Sequence, residues 1–330
     1  MDRRTTIIDI LETLKQRDFA NNDKWKVRAY AVVIDQLKER TTPITCMEDL
    51  EGIKGIGDKI RLKIQEILET GDLSQVHKIN KETDVVTDLV RVFGIGPVRA
   101  KELYEKQGIE KVEDLFDRQD LLNEKQKIGL KYYKDFEKRI KRTEMNKHAQ
   151  LIKSTVEKVH PDITVEIMGS YRRGAADSGD IDVLVTHKDD PENFSRYFDD
   201  VVKRLQEIDY ICDTFAKGTK KFNGVCRLKR HKFFRRLDIM YTRKQEWPFA
   251  LLYFTGDQAF NILMRKWALD KKMSLNEYGL KYTEGDRKGE LVDATEAGFE
   301  DEKSVFEFLG IGYVAPEDRN GKVVFEVLSE

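Results

Sequence analysis

The sequence is poor in cysteine and lacks a long apolar run. Among 330 residues there are three cysteines, Cys46, Cys212 and Cys226. They are far apart and form no C-x-x-C pair, so the sequence predicts neither a zinc site nor a disulfide framework and fits a reducing compartment. No apolar stretch approaches the length of a membrane span. The N-terminus is amphipathic with early acids, unlike a signal or transit peptide.

The chain also lacks a large net charge, but its charges are unevenly distributed. The formal net charge is -1, charged residues make up 36% of the chain and the mean hydropathy is -0.59, which predicts a soluble protein. Residues 217–236 contain nine Lys/Arg and no Asp/Glu, whereas residues 246–330 contain ten Lys/Arg and seventeen Asp/Glu. This asymmetry favours a local surface that faces a polyanion. A solvated basic hairpin is the alternative interpretation.

The spacing of apolar residues changes twice along the chain. Helical spacing dominates residues 1–80 and 85–140. From about residue 163, helical stretches alternate with short segments typical of strands, namely TVEIM, DIDVLV, VCRLKR and RRLDIMY. Helices return from about residue 249, followed by a mixed, glycine-punctuated tail. The pattern predicts an α+β chain with several domains.

An internal repeat carries the tripeptide Gly-Ile-Gly. It occurs in LEGIKGIGDKI (residues 50–60) and VRVFGIGPVRA (residues 90–100), each time before a helical run. Two such copies are typical of helix-hairpin-helix motifs, in which a tight turn presents backbone N–H groups to a DNA phosphate, through a bridging K⁺ or Na⁺ ion. The turn glycines are Gly55, Gly57, Gly94 and Gly96, and the carbonyl groups near the cation belong to Ile53, Ile56, Val92 and Ile95. Both motifs would grip the backbone without reading sequence.

Two acids head a buried strand pattern in GSYRRGAADSGDIDVLV. Asp180 and Asp182 are two residues apart, so a strand places both carboxylates on one face. Like charges held side by side cost free energy unless a cation binds them. Asp238 in RRLDIMY is an acid on a similar run, and a neighbouring strand could place it beside the pair.

Three such carboxylates predict a two-metal site for Mg²⁺, which favours a few carboxylates together with substrate phosphates. We expect Asp180 and Asp182 to bind both ions. Asp238 would bind only the ion that activates an attacking 3′-hydroxyl, and would accept its proton directly or through water. The alternative is a set of surface acids balanced by arginines, which is usual for an isolated D-x-D but less favoured by this longer pattern.

The residues before the acids suit a triphosphate. The turns Gly169–Ser170 and Ser178–Gly179 offer backbone N–H groups and hydroxyls. Arg172 and Arg173 add cations that bind phosphate oxygens bidentately.

Together these motifs resemble the family X DNA polymerases. The stretch G-S-Y-R-R-G-x₄-G-D-I-D-V-L-V-T-H resembles the catalytic strand of that family, and LLYFTGDQAFNILMRKWAL resembles its nucleotide-pocket segment. IGLKYYKDFEKRI, TKKFNGVC, RRLDIM and LNEYGL are also similar, in the same order, to segments of the beta branch. The resemblance covers essentially the whole chain. It implies a helical lyase domain (1–80), a helical DNA-binding subdomain (81–142), a nucleotidyltransferase-type palm with a β-sheet (143–246) and a mixed α/β nucleotide-selection subdomain (247–330).

The resemblance also implies roles for single residues. The turn of Tyr253, Phe254 and Gly256 would abut the sugar and exclude a 2′-hydroxyl. The full set implied to hold the incoming nucleotide is Arg139, Ser170, Arg173, Ser178, Gly179, Tyr253, Phe254, Gly256 and Asn261. The residues implied to contact DNA, besides the hairpin glycines, are Lys24, Tyr30, Lys59, Lys221, Arg236 and Arg265.

The N-terminal domain resembles a 5′-deoxyribose-phosphate lyase, in which Lys63 matches the Schiff-base lysine. Lys59 and Lys63 lie one helical turn apart, and crowded cations lower the pKa of an ammonium group. The free amine would attack the sugar aldehyde, and β-elimination would release the 5′-phosphate group. The segment KWKVRAYAVVI is closer to the lambda branch, which makes Lys24 and Tyr30 supporting contacts to the 5′-phosphate.

Three positions depart from the beta branch of the family. Gln258 replaces an acid near the incoming base, and Ile262 replaces a lysine near the template base. Met240 replaces an arginine that competes for the third aspartate in the open enzyme, so we expect Asp238 to be freer here. These departures bear on fidelity and closure rather than on the reaction.

The resemblance implies a monomeric repair polymerase that acts on gapped or nicked DNA with dNTPs in base excision repair. Two Mg²⁺ ions, replaceable by Mn²⁺, are the expected cofactors, and a ligase and an AP endonuclease are the expected protein partners. We expect a nuclear protein in a eukaryote and a cytoplasmic one in a virus or prokaryote. The sequence carries no proofreading, phosphoesterase or BRCT signature, which favours a minimal enzyme. A template-independent nucleotidyltransferase and a non-catalytic DNA-binding scaffold are the alternatives.

Overall fold

The computed structural model describes residues 2–20 and 23–328, which form two compact units. The first unit comprises the chain up to Val90 together with Ile95–Asp114, and the second comprises Arg91–Gly94 and the chain from Leu115 onward. The first unit is helical and the second is mixed, which confirms the predicted α+β class. Within the described ranges, no helix has the length and apolarity needed to cross a membrane.

Five α-helices lie in the described part of the first unit. They are α1 (Arg4–Ala20), α2 (Lys24–Glu39), α3 (Asp58–Thr70), α4 (Ser74–Val90) and α5 (Pro97–Gln107). Apolar residues at helical spacing, such as Leu11 and Leu14 on α1 and Ile34 and Leu37 on α2, are fully buried in its core. Helix α3 ends at Gly71, whose φ of +85° suits glycine at a helix C-terminus.

The second unit contains the remaining elements. Its helices are α6 (Asp114–Asp117, at the boundary), α7 (Glu124–Phe136), α8 (Arg142–Val159), α9 (Gly169–Arg172), α10 (Phe194–Glu207), α11 (Trp247–Thr255), α12 (Gln258–Asp270) and α13 (Glu302–Phe308). Its strands are β1 (Ile140–Lys141), β2 (Ile163–Ile167), β3 (Asp177–Ser178), β4 (Ile181–His187), β5 (Ile211–Lys217), β6 (Lys221–Cys226), β7 (Arg235–Tyr241), β8 (Met273–Asn276) and β9 (Gly279–Tyr282).

A five-stranded sheet forms the centre of the second unit, in the order β2-β4-β7-β6-β5. Strands β4 and β7 are parallel, and the other neighbours are antiparallel. One face of the sheet packs its alternate apolar residues against α8 and α10, as Val183, Val185 and Phe198 illustrate. On the other face, Leu184 and Met240 pack against α11. The C-terminal part of the chain has a separate core around Phe260 and Phe306.

One predicted strand is shorter than the sequence indicates. The β pattern of VCRLKR holds only for Val225 and Cys226, because the ladder between β6 and β7 ends at the pair Cys226–Arg235. The following loop turns away from the sheet and packs on α7, where the ring of Phe234 lies 4.6 Å from that of Tyr132. The four exposed cations Arg227, Lys229, Arg230 and Lys232 therefore belong to a loop, and not to a strand edge.

Candidate active site

Three carboxylates converge where β4 and β7 lie side by side. Asp182 and Asp238 are direct partners in the register of this parallel pair, so their side chains leave the same face of the sheet. Asp180 precedes β4 by one residue and keeps to that face by the two-residue period. One oxygen from each of the three carboxylates lies within 4.8 Å of the others. The structure thus brings together the three acids that the sequence pattern singles out.

Gly169 lets the carboxylate of Asp182 occupy its position. It follows β2 directly after Met168, has a φ of +58° and begins α9. A Cβ atom built on Gly169 would lie 2.6 Å from Asp182 Oδ2, well inside van der Waals contact. The predicted Gly-Ser turn is therefore one turn of helix, and its first residue must be glycine for Asp182 to remain in place.

Burial and the repulsion of neighbouring carboxylates raise the pKa values of Asp182 and Asp238. The pKa of Asp182 is raised to about 7, first by burial and then by the charges of Asp180 and Asp238. Burial also raises the pKa of Asp238, although a hydrogen bond from Asn223 Nδ2 to Asp238 Oδ1, at 2.6 Å, acts in the opposite direction. A cation would relieve this repulsion, and three carboxylates suit the hard ions Mg²⁺ and Mn²⁺. The residues present therefore fit a divalent-metal site.

An arginine pairs with Asp180, whereas the sequence directs attention to an arginine as a partner of Asp238. Arg236 Nη2 donates a hydrogen bond to Asp180 Oδ2. Met240 is buried against Leu184 and does not compete for Asp238, whose partner is the amide of Asn223. The amide of Asn223 is thus the hydrogen-bond partner of Asp238. The guanidinium group of Arg236 is bonded to Asp180 instead.

The residues predicted to hold a triphosphate surround α9. Ser170 Oγ donates to Ser178 Oγ at 2.9 Å, and Ser178 is buried. Arg173 Nη1 donates to the carbonyl oxygen of Thr255 at 2.6 Å and would lie 3.3 Å from a Cβ atom on Gly256. The guanidinium group of Arg173 therefore lies against the end of α11, and the two hydroxyls are bonded to each other.

Arg139 and Gly179 form the outer part of the same region. Arg139 Nη1 would lie 3.0 Å from a Cβ atom on Gly179, so the glycine leaves room for the guanidinium group. Arg139 pairs with Asp177 at 2.7 Å. Both partners are about half exposed, which makes this pair weak and easy to rearrange.

Arg172 does not contribute its charge to the predicted phosphate site. Its guanidinium group donates to both carboxylate oxygens of Glu302, at 3.0 and 2.6 Å, and to Thr255 Oγ1 at 2.5 Å. Glu302 also accepts a hydrogen bond from the buried Arg319 at 2.7 Å. The interpretation of Arg172 as a phosphate ligand is wrong, because a buried carboxylate at the start of α13 already balances its charge.

The residues predicted to contact the sugar and base also lie together. Tyr253 and Phe254 form the last turn of α11, with ring centres 4.9 Å apart, and Gly256 ends that helix with a φ of +66°. Asn261 Nδ2 donates to the Tyr253 carbonyl oxygen at 2.8 Å. The Arg265 guanidinium carbon lies 5.1 Å from the centre of the Tyr253 ring. One face of α12 is thereby joined to the last turn of α11.

A cavity of about 160 Å³ opens beside the carboxylates. Its lining combines two of the acids with residues of β6 and α11, including Asp182, Asp238, Lys221, Asn223 and Phe254. The structure places Lys221, a predicted DNA contact, next to the carboxylates. Asn223 is a neighbour that the sequence does not reveal, since only the register of β6 against β7 brings it to Asp238.

Lys63 lies on α3 with a lowered pKa. Burial is the largest cause, followed by the charges of Arg17 and Lys59. The crowding of cations expected from sequence is present, but burial acts more strongly and Arg17 comes from a different helix. Arg17 also binds the buried carboxylate of Asp18, with Nη2 and Oδ1 2.5 Å apart. A lowered pKa favours the unprotonated amine that a Schiff base requires.

Two further predicted contacts flank this region on α2. Lys24 begins the helix and is exposed. Tyr30 is only 5% exposed, and its pKa is raised by burial and by the charge of Asp18. Little of the Tyr30 side chain is therefore open to a phosphate in this conformation.

The first Gly-Ile-Gly turn is fixed from two sides. Gly55 has a φ of +91°, and a Cβ atom on it would lie 3.2 Å from Val32 Cγ1. Gly57 caps the start of α3. The side-chain amide of Gln36 on α2 binds both backbone groups of Lys54 at 2.9 Å. Gln36 is a support that the motif alone does not indicate.

The second turn has the same glycine conformation. Gly94 has a φ of +93°, and its carbonyl oxygen accepts a hydrogen bond from Gln126 Nε2 at 3.1 Å. Gly96 caps the start of α5, with Pro97 in the first helical position. The residues whose carbonyl groups are predicted to bind a monovalent cation are half-buried or buried: Ile53, Ile56, Val92 and Ile95.

Known proteins match the chain in four consecutive segments. The family descriptions are "Helix-hairpin-helix domain" for residues 2–73, "Fingers domain of DNA polymerase lambda" for 87–137, "DNA polymerase beta palm" for 139–244 and "DNA polymerase beta thumb" for 250–320. The chain is 33% identical over 325 residues to DNA polymerase lambda of Rattus norvegicus, covering 95% of this chain and 56% of the relative. It is 32% identical over 307 residues to DNA polymerase lambda of Arabidopsis thaliana, covering 88% and 57%.

A third relative carries a different name. DNA nucleotidylexotransferase of Xenopus laevis is 28% identical over 362 residues, covering 97% of this chain and 69% of the relative. The chain spans little more than half the length of the two polymerase lambda relatives. Three findings point to the same family: the order of the four matched segments, the three acids on the sheet of the palm segment, and the sequence identities. The chain belongs to family X of the DNA polymerases.

Proposed function

We propose that this chain is a template-directed DNA polymerase that fills short gaps in base excision repair and removes the 5′-deoxyribose phosphate. The convergence of Asp180, Asp182 and Asp238 carries the proposal. Membership of family X and the names of the polymerase lambda relatives support it. The division into lyase, DNA-binding, palm and nucleotide-selection parts, at residues 80, 142 and 246, belongs to the same proposal.

In synthesis, two divalent cations bound by the three carboxylates would screen the triphosphate and lower the pKa of the primer 3′-hydroxyl. Ser170, Ser178 and Arg173 bind the phosphate oxygens of the incoming dNTP, and the hydroxyl pair is already aligned at 2.9 Å. Asp238 accepts the 3′-hydroxyl proton, directly or through a water molecule. The oxygen then attacks the α-phosphorus and pyrophosphate leaves.

The nucleotide is selected at the end of α11. Tyr253 and the backbone at Gly256 lie against the sugar and leave no room for a 2′-hydroxyl, while Asn261 and Arg265 face the minor groove and the template strand. Asn261 and Arg265 both contact Tyr253. Binding of nucleotide and template would exchange these contacts for new ones.

In the lyase reaction, Lys63 Nζ attacks the sugar aldehyde at C1′ and forms a Schiff base with loss of water. Loss of a C2′ proton then drives β-elimination, in which the C3′–O bond breaks and the 5′-phosphate group of the DNA leaves. Burial and the charges of Arg17 and Lys59 lower the pKa of Lys63, which favours the unprotonated amine. Lys24 and Tyr30 contribute to phosphate binding in this proposal.

The proposal includes the remaining cofactors and partners. The carboxylates bind two Mg²⁺ ions, for which Mn²⁺ can substitute. At each of the two Gly-Ile-Gly turns, K⁺ or Na⁺ bridges the protein backbone to a DNA phosphate. The partners are gapped or nicked DNA, a ligase and an AP endonuclease, and the protein acts as a monomer. It is nuclear in a eukaryote, and cytoplasmic in a virus or prokaryote.

A one-nucleotide gapped duplex with a 5′-deoxyribose phosphate tests both activities at once. We expect Asp238→Asn to abolish nucleotide incorporation and spare removal of the sugar phosphate. We expect Lys63→Ala to spare incorporation and to lose covalent trapping by borohydride. Matched controls are Glu207→Gln, an exposed acid on α10 paired with Arg204, and Lys78→Ala, an exposed lysine on α4. Incorporation by Asp238→Asn at the wild-type rate would refute the assigned site, and unchanged trapping by Lys63→Ala would assign the nucleophile to another lysine.

Template-independent transfer is the second candidate, because one relative is named a nucleotidylexotransferase. The two Gly-Ile-Gly turns, the basic segment around Lys221 and the position of Arg265 favour templated synthesis. Extension of a single-stranded primer and of a gapped duplex, compared at equal concentrations, separates the two. If the enzyme extended the single-stranded primer faster than the gapped duplex, template-independent transfer would be the better proposal.

A further inference from the structure

Phe93 lies in the short segment Arg91–Gly94, which leads into the second Gly-Ile-Gly turn and belongs to the second unit. The segment sits directly on α7. A Cβ atom built on Gly129 would lie 2.0 Å from the carbonyl oxygen of Phe93, so only glycine permits this approach. Gln126, one turn earlier on α7, donates to the Gly94 carbonyl oxygen at 3.1 Å. Phe93 is therefore held by its backbone, independently of its ring.

The ring of Phe93 faces the palm sheet. Its centre lies 4.3 Å from that of Phe215 on β5. Two cations also lie against it, Lys125 Nζ at 5.1 Å and the Arg236 guanidinium carbon at 5.2 Å. Cations within roughly 6 Å of a ring centre are attracted to its face. The ring is thus a stacking surface for a guanidinium group that belongs to β7.

The same guanidinium group reaches the carboxylate cluster. Arg236 Nη2 donates to Asp180 Oδ2, and the ring of Phe93 supports the guanidinium group from another direction. A cation bound at Asp180 has to compete with this hydrogen bond for carboxylate oxygens. A contact that holds Arg236 in place, and is lost when a metal ion binds Asp180, therefore opposes metal binding.

We propose that Phe93 is a positioning residue, which holds Arg236 against Asp180 and thereby tunes the metal affinity of the carboxylate site. The inference rests on the proposed metal site. It connects the turn at Gly94, predicted to grip the DNA backbone, with the carboxylates on β4 and β7. Phe93 itself contacts neither the metal nor the substrate.

Direct binding of Mn²⁺ tests this role. The full chain is mixed with a one-nucleotide gapped duplex and a non-hydrolysable dNTP analogue, and free Mn²⁺ is measured by electron paramagnetic resonance. We expect Phe93→Leu, which keeps an apolar side chain but removes the ring, to lower the half-saturating Mn²⁺ concentration about three- to fivefold, the typical effect of one exposed cation–π contact. Phe93→Tyr keeps the ring and should bind Mn²⁺ as the wild type does. Phe116→Leu removes an aromatic ring whose centre lies 6.3 Å from that of Tyr133, and serves as the control.

A double-mutant cycle separates positioning from a general structural effect. If Phe93 acts through Arg236, Phe93→Leu has no further effect on Mn²⁺ binding in an Arg236→Met background. The inference would be overturned if Phe93→Leu changed Mn²⁺ binding equally in the wild-type and Arg236→Met backgrounds. It would also be overturned if Phe93→Leu alone left Mn²⁺ binding unchanged or weakened it. If the wild type binds Mn²⁺ no better than Asp180→Asn does, the proposed metal site fails instead. The two failures are therefore distinguishable without a measurement of synthesis.

Discussion

Replacement of Gly169 by alanine is the most direct test of how the fold positions the carboxylates. Gly169 has a φ of +58°, and a Cβ atom at this position would lie 2.6 Å from Asp182 Oδ2. Gly174 is a matched control five residues later. It has a φ of +78° and has no atom within 4 Å of a built Cβ. Both substitutions strain the backbone, but only Gly169→Ala pushes on a carboxylate.

The two effects have separable magnitudes. Alanine in the left-handed region costs about 1–2 kcal/mol, so both variants should lose similar stability. At Gly169 the carboxylate of Asp182 must also move by nearly 1 Å to restore a contact of about 3.5 Å. A misplacement of about 1 Å at a reacting centre costs roughly a hundredfold in rate. We therefore expect Gly169→Ala to lose about two orders of magnitude in synthesis and Gly174→Ala to lose little.

Single-turnover incorporation on a one-nucleotide gap measures the rate, and urea denaturation measures the free energy of unfolding. Borohydride trapping of the 5′-deoxyribose phosphate reports on the first unit and should be the same in both variants. The reasoning would be refuted if Gly169→Ala incorporated nucleotide within about threefold of Gly174→Ala at equal stability, a difference of less than 1 kcal/mol.

Three further predictions concern buried charge. The pKa of the buried His148 is lowered to about 4, mainly by burial. The free energy of unfolding should therefore fall by about 3 kcal/mol as the pH drops from 6.5 to 4, because the unfolded chain takes up the proton first. Urea denaturation of His148→Gln should lack that part of the pH dependence. Arg17→Gln removes a charge that lowers the pKa of Lys63, so the pH profile of borohydride trapping should shift to higher pH, and an unchanged profile would contradict the assignment. Glu302→Gln removes the charge that balances the buried Arg319 and the half-buried Arg172, and should cost roughly 3–5 kcal/mol of stability in thermal unfolding. Glu307→Gln, at an exposed pair, should cost less than about 1 kcal/mol.

The sequence predicts the parts of the site that depend on local periodicity. Asp180 and Asp182 are recognisable because a two-residue spacing on a strand has one geometric outcome. The link to Asp238 follows from a second apolar run with the same pattern, and the register of β4 against β7 confirms that geometry. The two Gly-Ile-Gly turns are also predictable, because the first glycine of each, Gly55 and Gly94, has a positive φ that suits glycine.

The parts that the sequence does not reveal depend on contacts between distant segments. Asn223 reaches Asp238 only through the antiparallel register of β6 and β7. Arg172 looks like a phosphate ligand until the fold brings Glu302, 130 residues later, against it. Likewise the lowered pKa of Lys63 owes more to burial and to Arg17 than to the neighbouring Lys59. In each case the local pattern is compatible with several partners, and tertiary packing selects one.

The three carboxylates are held in three different ways, and this difference has a consequence for metal binding. Asp182 packs its carboxylate against Gly169, and Asp238 accepts a hydrogen bond from a neutral amide. Asp180, which lies outside the strand, instead pairs with the cationic Arg236. Without a metal, this pair reduces the repulsion that three adjacent charges would otherwise exert on the sheet. Metal binding must therefore displace or reorient a cation at Asp180 but not at the other two acids. Control of metal affinity is accordingly concentrated on Asp180 and on the residues that hold its arginine.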